Sequence, residues 1–285
     1  QTPFLSQDIQ SSMIKYFSSE SYSDYYYVLG NEFILKKDGE ELATIKYDSL
    51  DFDLRKSAAS IELINDECLL LLFNAKESAP DEKDANKKVT VDLYYAYIYN
   101  FSTKTLYPKI VSYDKITKFN NNSEDSYLLL KNQDSNYELY SVKNNNVVLN
   151  HYYAKVGDLD SETNVSSSKS SKYIYVCSKV SVGVYSSCGL VDYNGKTVLT
   201  LKYDDNTLID YNDDYYVIKE DLFMKAYDYI NVSLLDEYDY ILLSTKYVIT
   251  FKSGIIDIYD KDLKKLKTFS TDLNEIIPKD TLDKS

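Results

Sequence analysis

The pattern of apolar and polar residues changes from a helical to a strand period near the N-terminus. Four apolar residues recur on one helical face after Ser6, a residue that can cap a helix: Ile9, Met13, Ile14 and Phe17. This spacing predicts an amphipathic helix in Gln1–Ser23, either packed on the main domain or acting as a tether or partner helix. From Asp24 onward, short apolar runs alternate with turn residues, which predicts strands.

The clearest strand pattern lies in Gly189–Glu220, which is typical of a strand, a turn and three further strands. Asn194-Gly195 is a dipeptide typical of a type I′ hairpin turn, in which both residues take a positive φ. We therefore expect Gly189–Tyr193 and Lys196–Tyr203 to be antiparallel neighbours.

Units of similar pattern recur along the chain at intervals of roughly 30 to 60 residues. Their starts are assigned to Tyr25, Cys68, Ser126, Tyr173, Tyr215 and Tyr247. Such repeats predict an all-β fold, a β-propeller of about six four-stranded blades with a short N-terminal helix. The helix would occupy residues 1–23 and a single domain residues 24–285. A pair of β-sandwiches or an irregular β-fold is the alternative.

Two segments lack the alternation of apolar and polar residues that is typical of the predicted strands. Lys76–Lys88 is charged and contains proline, which predicts a surface loop. Asp158–Lys172 is polar and rich in serine. A domain linker could have this composition, but a long loop within one domain is favoured because repeats continue on both sides.

The Gly189–Asp205 segment also resembles a bacterial WG repeat. The family's positions are occupied by Gly189, Asp192, Gly195, Lys196, Tyr203 and Asp204. Cys188 stands where the family has tryptophan, and only this one unit matches well. The resemblance implies a repetitive, propeller-like module for binding or scaffolding, and it carries no catalytic residues to transfer.

Composition supports the prediction of a strand-rich fold and indicates a bacterial source, and the N-terminal residue bears on the cellular location. The chain has 31 tyrosines, 10 phenylalanines and no tryptophan, a mixture that suits pleated sheets. Arg55 is the single arginine beside many lysines, asparagines and tyrosines, which is typical of an AT-rich, bacterial genome. Because the chain starts at Gln1, we expect that a secretion signal has been removed and that the protein is extracytoplasmic or secreted, either free or lipid-anchored through that signal.

Charge and hydropathy exclude some partners. The net charge of −13 opposes binding to nucleic acid and to anionic membrane surfaces. No apolar run reaches the roughly 20 residues that a transmembrane helix needs. The partner is therefore expected to be a protein or a glycan at the cell envelope.

The three cysteines lack the spacing of a metal site. Cys177 and Cys188 lie symmetrically about Val182-Gly183, which resembles a hairpin turn, whereas Cys68 stands alone. The pair could therefore form a cross-strand disulfide in an exported protein, or remain as two buried thiols.

No motif predicts catalysis, a metal or a cofactor. His151, the single histidine, has no partner at a catalytic or metal-ligand spacing. The catalytic acid and nucleophile of a glycosidase could be among four pairs of carboxylates: Asp51/Asp53, Asp158/Asp160, Asp204/Asp205 and Asp213/Asp214. A calcium site at Asp192-Tyr193-Asn194 is less favoured than a hairpin turn.

The tyrosines allow two interpretations. In Tyr173–Cys177 they alternate with aliphatic residues, as expected for a strand packed between two sheets. Exposed tyrosines, such as those of Tyr25–Tyr27 or Tyr215-Tyr216, could instead stack on sugars.

The sequence predicts a non-enzymatic binding or scaffold module of the bacterial cell envelope. A lectin-like propeller or a carboxylate-dependent glycan hydrolase is the alternative.

Overall fold

The computed structural model of the chain is built from β-strands and turns. It describes residues 13–16, 23–29, 32–46, 60–81, 84–121, 123–159, 165–181, 183–230 and 232–270. No helix occurs among these residues. The predicted all-β class is confirmed.

The first two sheets come from the first 112 residues. Sheet 1 consists of β1 (Met13–Tyr16), β2 (Tyr25–Leu29), β3 (Glu32–Lys37) and β4 (Glu40–Lys46). Sheet 2 consists of β5 (Ser60–Leu63), β6 (Cys68–Asp81), β7 (Asp84–Asn100), β8 (Thr105–Leu106) and β9 (Ile110–Ser112). Strand β9 pairs with β7 beside β8.

The next two sheets are separated by a small hairpin. Sheet 3 consists of β10 (Thr117–Phe119), β11 (Tyr127–Lys131), β12 (Tyr137–Ser141) and β13 (Asn146–Tyr153). Strand β14 (Lys155–Val156) is followed by the hairpin of β15 (Asp158–Leu159) and β16 (Ser166–Ser167). Sheet 4 joins β14 to β17 (Tyr173–Ser181), β18 (Val184–Asp192) and β19 (Thr197–Tyr203).

The last two sheets are consecutive four-stranded meanders. Sheet 5 consists of β20 (Leu208–Tyr211), β21 (Tyr215–Glu220), β22 (Phe223–Asp228) and β23 (Ser233–Tyr238). Sheet 6 consists of β24 (Tyr240–Leu243), β25 (Tyr247–Lys252), β26 (Ile255–Asp260) and β27 (Lys265–Ser270). The described residues thus form six successive sheets of four or five strands, with the two-stranded hairpin of β15 and β16 as a seventh, smaller sheet.

The predicted repeat starts fall on the second strand of each sheet. Tyr25, Cys68, Tyr173, Tyr215 and Tyr247 begin β2, β6, β17, β21 and β25, and Ser126 directly precedes β11. The first strand of every sheet has two to four residues. A strand of that length has too few residues for an alternating pattern to be detected. The arrangement of the six sheets as a propeller stays a prediction.

The predicted N-terminal helix is wrong where the structure describes it. Met13–Tyr16 is strand β1, and Met13 lies opposite Leu29 in an antiparallel ladder with β2. A short isolated helix is marginal in water, so pairing with an available strand edge can override a weak helical pattern. Residues 1–12 and 17–22 of the predicted helix lie outside the described residues.

The predicted surface loop at Lys76–Lys88 is also wrong. Its described residues belong to β6 and β7, which pair as a two-stranded ribbon with Lys76 opposite Asp92 and Pro80 opposite Lys88. Residues 82 and 83 lie outside the described residues. The ladder satisfies the backbone groups of this segment, and pairing of this kind does not require an apolar periodicity.

The hairpin around Asn194-Gly195 exists, but its turn is not type I′. Gly195 has a φ of 82°, whereas Asn194 is absent from the described residues with positive φ. The Gly195 N–H donates to the Asp192 carbonyl at 3.0 Å. The Asp192 carboxylate accepts the Asn194 and Lys196 N–H groups at 2.9 Å, so only glycine needs the left-handed conformation.

The chain forms two compact units. Unit 1 comprises Gln1–Lys118, Ser126–Ser135 and Tyr140–Asn146, and unit 2 comprises Phe119–Asp125, Asn136–Leu139 and Val147–Ser285. Sheets 1 and 2 belong to unit 1, and sheets 4 to 6 belong to unit 2. The assignment of residues 24–285 to a single domain stays a prediction.

Within unit 2, sheet 5 is buried on both faces. Tyr216 and Ile218 pack in one core with residues of sheet 4, such as Leu190. Val217 packs in another core with Val248 of sheet 6. This alternation along β21 places successive side chains on opposite faces of the sheet, as the strand geometry requires.

Candidate functional site

A cleft lies between sheets 4 and 5 of unit 2. It has a volume of about 410 Å³, and its polar and aromatic lining consists of Thr200, Lys202, Tyr203, Tyr216, Glu220 and Tyr227. Three aliphatic side chains complete it. We call it the tyrosine cleft. Its volume is within the range of about 300–1,000 Å³ that is common for small-molecule sites.

The wall from sheet 4 is positioned by a close approach of two backbones. A Cβ atom on Gly189 would lie 2.3 Å from the Leu199 carbonyl oxygen and 2.8 Å from that of Thr200. Only glycine lets β19 approach β18 so closely. The resulting register places Tyr203, at the end of β19, opposite Cys188.

The predicted cysteine pair lies beside this wall. Cys177 and Cys188 are directly opposite each other on β17 and β18, and they form a disulfide in the structure. Neither side chain is exposed. Both pack in the same core as Tyr216, with Tyr203 against them, so the disulfide supports the floor of the tyrosine cleft.

The second wall of the cleft comes from sheet 5, where alternate side chains of β21 point to the same face. Tyr216, Ile218 and Glu220 are two residues apart on β21 and therefore lie on one face. The ring of Tyr216 stacks on that of Tyr227 from β22, with centroids 5.4 Å apart and an interplanar angle of 16°. Because Tyr216 is only 3% exposed, its ring supports that of Tyr227, and β21 supplies the Glu220 carboxylate to the cleft.

The tyrosine hydroxyls of this wall keep their protons at neutral pH. Burial, with the neighbouring phenols of Tyr203 and Tyr227, raises the pKa of Tyr216 to about 12. Burial also raises the pKa of Tyr227. A protonated phenol both donates and accepts hydrogen bonds, which suits recognition of another hydroxyl group.

The charged groups of the cleft are balanced in sign. The Lys202 ammonium lies 5.0 Å from the centroid of the Tyr203 ring. The Glu220 carboxylate forms an ion pair with the Lys225 ammonium at 2.9 Å. One ammonium and one carboxylate in the lining make the cleft locally neutral, despite the net charge of the chain.

A buried polar network lies next to this region in unit 2. The Tyr211 hydroxyl donates to the Asp158 carboxylate at 3.1 Å, and the Lys169 ammonium donates to Asp210 at 2.9 Å. Asp210 also accepts the Leu243 N–H at 3.1 Å. The network therefore ties the serine-rich segment around Lys169 to sheets 5 and 6.

The carboxyl groups of this network differ in their pKa. Burial raises the pKa of Asp158, against the attraction of Lys169 and the hydrogen bond from Tyr211. Burial opposes the charge of Asp213 too, but hydrogen bonds from the Ser170 and Ser171 side chains outweigh it and lower the pKa. The Asp213 contacts measure 2.5 and 2.6 Å. The hydrogen bonds to charged Asp213 therefore stabilise the C-terminal end of Asp158–Lys172, whereas the charge of Asp158 is unfavourable at its N-terminal end.

None of the carboxylate pairs named from the sequence lines the tyrosine cleft. Asp204 accepts hydrogen bonds from Asn206 and Thr207 in a turn. Asp192 closes the hairpin turn described above, and His151 lies in β13. Asp51, Asp53 and Asp160 lie outside the described residues. Among described residues, no group of three or more His, Cys, Asp or Glu could hold a metal ion.

Of the residues that line the tyrosine cleft, the sequence indicates Tyr216 as a candidate for sugar stacking and Tyr203 only as a position of the WG-like repeat. It does not indicate Tyr227 or Glu220 as binding residues. Their convergence depends on how sheet 4 packs on sheet 5, which no local pattern reveals. Alternation of Tyr216 and Glu220 along β21 was a signal that could have identified that wall.

Comparison with known proteins gives only a loose likeness. No family model and no curated protein matches the sequence. A variant of KlHsv2 with loop 6CD replaced by a Gly-Ser linker is 10% identical, covering 90% of this chain and 85% of its own, with a TM-score of 0.29. Kluyveromyces lactis Hsv2 is 10% identical over 92% of this chain and 87% of its own, with a TM-score of 0.26. At these scores the likeness does not bear on fold or function. In the described residues, no helix has the length and hydropathy to cross a membrane.

Proposed function

We propose that the protein is a non-enzymatic binding module of the bacterial cell envelope, and that its ligand is a neutral glycan. The observation that carries this proposal is the tyrosine cleft. The half-buried rings of Tyr203 and Tyr227 provide apolar surface beside polar groups, and the buried ring of Tyr216 stacks behind that of Tyr227. Sugars present a face of C–H groups and a rim of hydroxyls, which is complementary to this arrangement.

Charge favours a neutral ligand. The lining contains one ammonium and one carboxylate, from Lys202 and Glu220. The net charge of −13 repels anionic ligands at long range. A neutral glycan has neither a long-range repulsion to overcome nor a charge that the cleft leaves unpaired.

The lining favours binding over hydrolysis. Glycosidases commonly use two carboxyl groups on either side of the scissile bond. Of the residues that line the tyrosine cleft, Glu220 alone carries a carboxylate, and it is paired with Lys225. Tyr203, Tyr216 and Tyr227 supply stacking and hydrogen bonding instead.

A glycan array tests the ligand class. The labelled full-length chain is expected to bind neutral oligosaccharides, and Tyr203→Ala or Tyr227→Ala is expected to weaken binding at least about fivefold, as loss of a central aromatic contact does. Tyr247→Ala is the matched control, because this tyrosine is 46% exposed on β25 and outside the cleft. Absence of glycan binding, or equal binding by the cleft variants, would contradict the proposal.

The disulfide supports an extracytoplasmic location, because disulfides persist in oxidising compartments. Alkylation of intact source cells before lysis tests this point. We expect only Cys68 to be a thiol, and we expect it to react after denaturation, because it is buried. Three alkylated cysteines would contradict an oxidising location.

A further inference from the structure

The tyrosine cleft runs along the outer edge of strand β19. Five residues of this strand border the cleft: Val198, Leu199, Thr200, Lys202 and Tyr203. Successive side chains of a strand point to opposite faces, so neighbours such as Leu199 and Thr200 both border a cleft that follows the edge of their strand. Strand β19 ends the order of sheet 4, and no described strand pairs with its outer side. The backbone of β19 therefore borders the cleft together with its side chains.

A strand edge of this kind offers backbone N–H and C=O groups that have no partner within their sheet. When a ligand covers such groups, each of them needs a hydrogen bond in place of water. An amide group supplies one donor and one acceptor at the spacing of a peptide bond, as an added strand does. The edge of β19 thus suits a ligand that carries an amide group.

The exposed side chains of the cleft also match an amide. The Glu220 carboxylate can only accept hydrogen bonds, the Lys202 ammonium can only donate them, and the Thr200 hydroxyl can do both. All three side chains are exposed. An amide N–H can donate to the carboxylate or to a backbone carbonyl, and an amide oxygen can accept from the ammonium or from a backbone N–H. Neither interaction requires a charge on the ligand.

One aliphatic side chain of the lining is accessible to a ligand. Leu199 and Ile218 are buried, whereas Val198 of β19 is only half-buried. Removal of a methyl-sized apolar group from water is favourable. A small apolar group on the ligand, next to its amide, would therefore gain from contact with Val198.

We propose that the tyrosine cleft is specific for N-acetylhexosamine residues, whose acetamido group lies against the edge of β19. This inference rests on the proposed function for the glycan class and names the sugar. The acetamido group is neutral, has one amide donor and one acceptor, and ends in a methyl group. It therefore matches the strand edge, the Lys202 and Glu220 side chains, and Val198 together. A hydroxyl group at the same ring carbon has neither the amide nor the methyl group.

The test compares chitotriose with cellotriose. These trisaccharides have the same linkage, and their rings differ in carrying an acetamido or a hydroxyl group. Isothermal titration calorimetry of the full chain measures the affinity for each. We expect chitotriose to bind at least about tenfold more tightly, as one net hydrogen bond and one buried methyl group together give. Backbone amide NMR shifts should change most in residues 198–203 of β19 when chitotriose is added.

Val198→Thr tests the apolar contact. Threonine keeps the branched shape of valine but places a hydroxyl where a methyl group was. We expect this variant to bind chitotriose about three- to tenfold more weakly and to bind cellotriose unchanged. Val184→Thr is the matched control, because Val184 is 37% exposed on β18 and lies outside the cleft. Thermal melting shows whether each variant is folded, and the NMR shifts of the unaltered chain decide if Val198→Thr is not.

The outcomes separate this inference from the proposed function. Equal affinities for the two trisaccharides overturn the inference and leave the proposed function standing, because both are neutral glycans. A preference for chitotriose that folded Val198→Thr retains, or shift changes outside β19, overturns the placement of the acetamido group. Tighter binding of N-acetyl-tetra-alanine amide than of chitotriose assigns the edge to an extended peptide and overturns the inference. Binding of no neutral glycan, in calorimetry and on the array, overturns both.

Discussion

At the residue scale, aspartates at the ends of the third strands of sheets 4, 5 and 6 form the same kind of turn. The carboxylates of Asp192, Asp228 and Asp260 each accept the N–H groups two and four residues later. These residues end β18, β22 and β26. The sequence predicted the hairpin at Asp192 from Asn194-Gly195, but the residue common to all three turns is the aspartate.

We expect Asp228→Ala to lower the free energy of unfolding by roughly 1 kcal/mol per lost hydrogen bond, about 2 kcal/mol in all. Its two contacts to Ile230 and Val232 measure 3.1 and 2.9 Å. Chemical denaturation measures the change. Asp236→Ala on β23 is the control, because Asp236 is exposed and its ion pair among the described residues is a 3.4 Å contact with Lys225. Equal stability of the two variants would exclude this role for Asp228.

Asp158 gives a prediction about pH. Its pKa in the folded protein is raised chiefly by burial, so the folded state binds the proton more readily than the unfolded state. Charged Asp158 therefore destabilises the fold at neutral pH, and this cost disappears as pH falls below the ordinary aspartate pKa of about 3.9.

Asp158→Asn should accordingly increase the melting temperature at pH 7, with a gain that shrinks steadily toward pH 3. Asparagine can still accept the hydrogen bond from Tyr211. Melting curves across this range are compared with those of Asp214→Asn, an exposed control. A gain that does not vary with pH, or a loss at pH 7, is incompatible with the raised pKa.

At the element scale, long strands were predictable and short ones were not. The strands that begin at Tyr173, Tyr215 and Tyr247 have six or more residues, enough for an alternating pattern to be read. The strands that precede them, such as Lys155–Val156, have two to four residues and are fixed by pairing rather than by pattern. The wrong prediction of an N-terminal helix has the same origin. The four residues of Met13–Tyr16 fit a helical or a strand period, and pairing with β2 determines that they form a strand.

The site was predictable only in part for a similar reason. Alternation indicated that Tyr216 and the residues around it lie on a buried strand. The meeting of Tyr203 with Tyr227 depends on register shifts between β18 and β19 and on the packing of two sheets. Neither feature follows from the residues of one strand.

Gly189 provides a test of that register. We expect Gly189→Ala to lower the free energy of unfolding by about 1–3 kcal/mol, because the new methyl group meets backbone oxygen of β19 at 2.3 Å. It should also weaken glycan binding, since β19 carries Thr200 and Tyr203. Gly183→Ala is the control: its φ is 80° and no atom lies within 4 Å, so it should lose stability without losing affinity. Unchanged binding by a folded Gly189→Ala protein would show that the register does not position the cleft.

At the scale of the whole molecule, each of the two units has its own core and its own aromatic cleft. In unit 1, Tyr99 and Phe101 contribute both to the core and to the cleft. In unit 2, Tyr216 does the same beside the disulfide. Tyrosine suits this double role, because its large ring fills the space between sheets and packs against neighbouring rings.

The disulfide should be resistant to reduction in the native protein. Cys177 and Cys188 are 0% exposed, so a thiol reagent has no direct access to them. We expect dithiothreitol to release no new thiols from the folded chain and two from the chain in urea, as counted by alkylation and mass spectrometry. Rapid reduction under native conditions would contradict the buried position.

The central claim is that the tyrosine cleft binds a neutral glycan. Its most direct test is a crystal structure of the full chain grown with the neutral oligosaccharide that binds most strongly on the array. We predict a sugar ring in the cleft between β19 and β21, stacked on Tyr203 or Tyr227 and hydrogen-bonded to Glu220. An oligosaccharide bound elsewhere, with the tyrosine cleft empty, would contradict the claim.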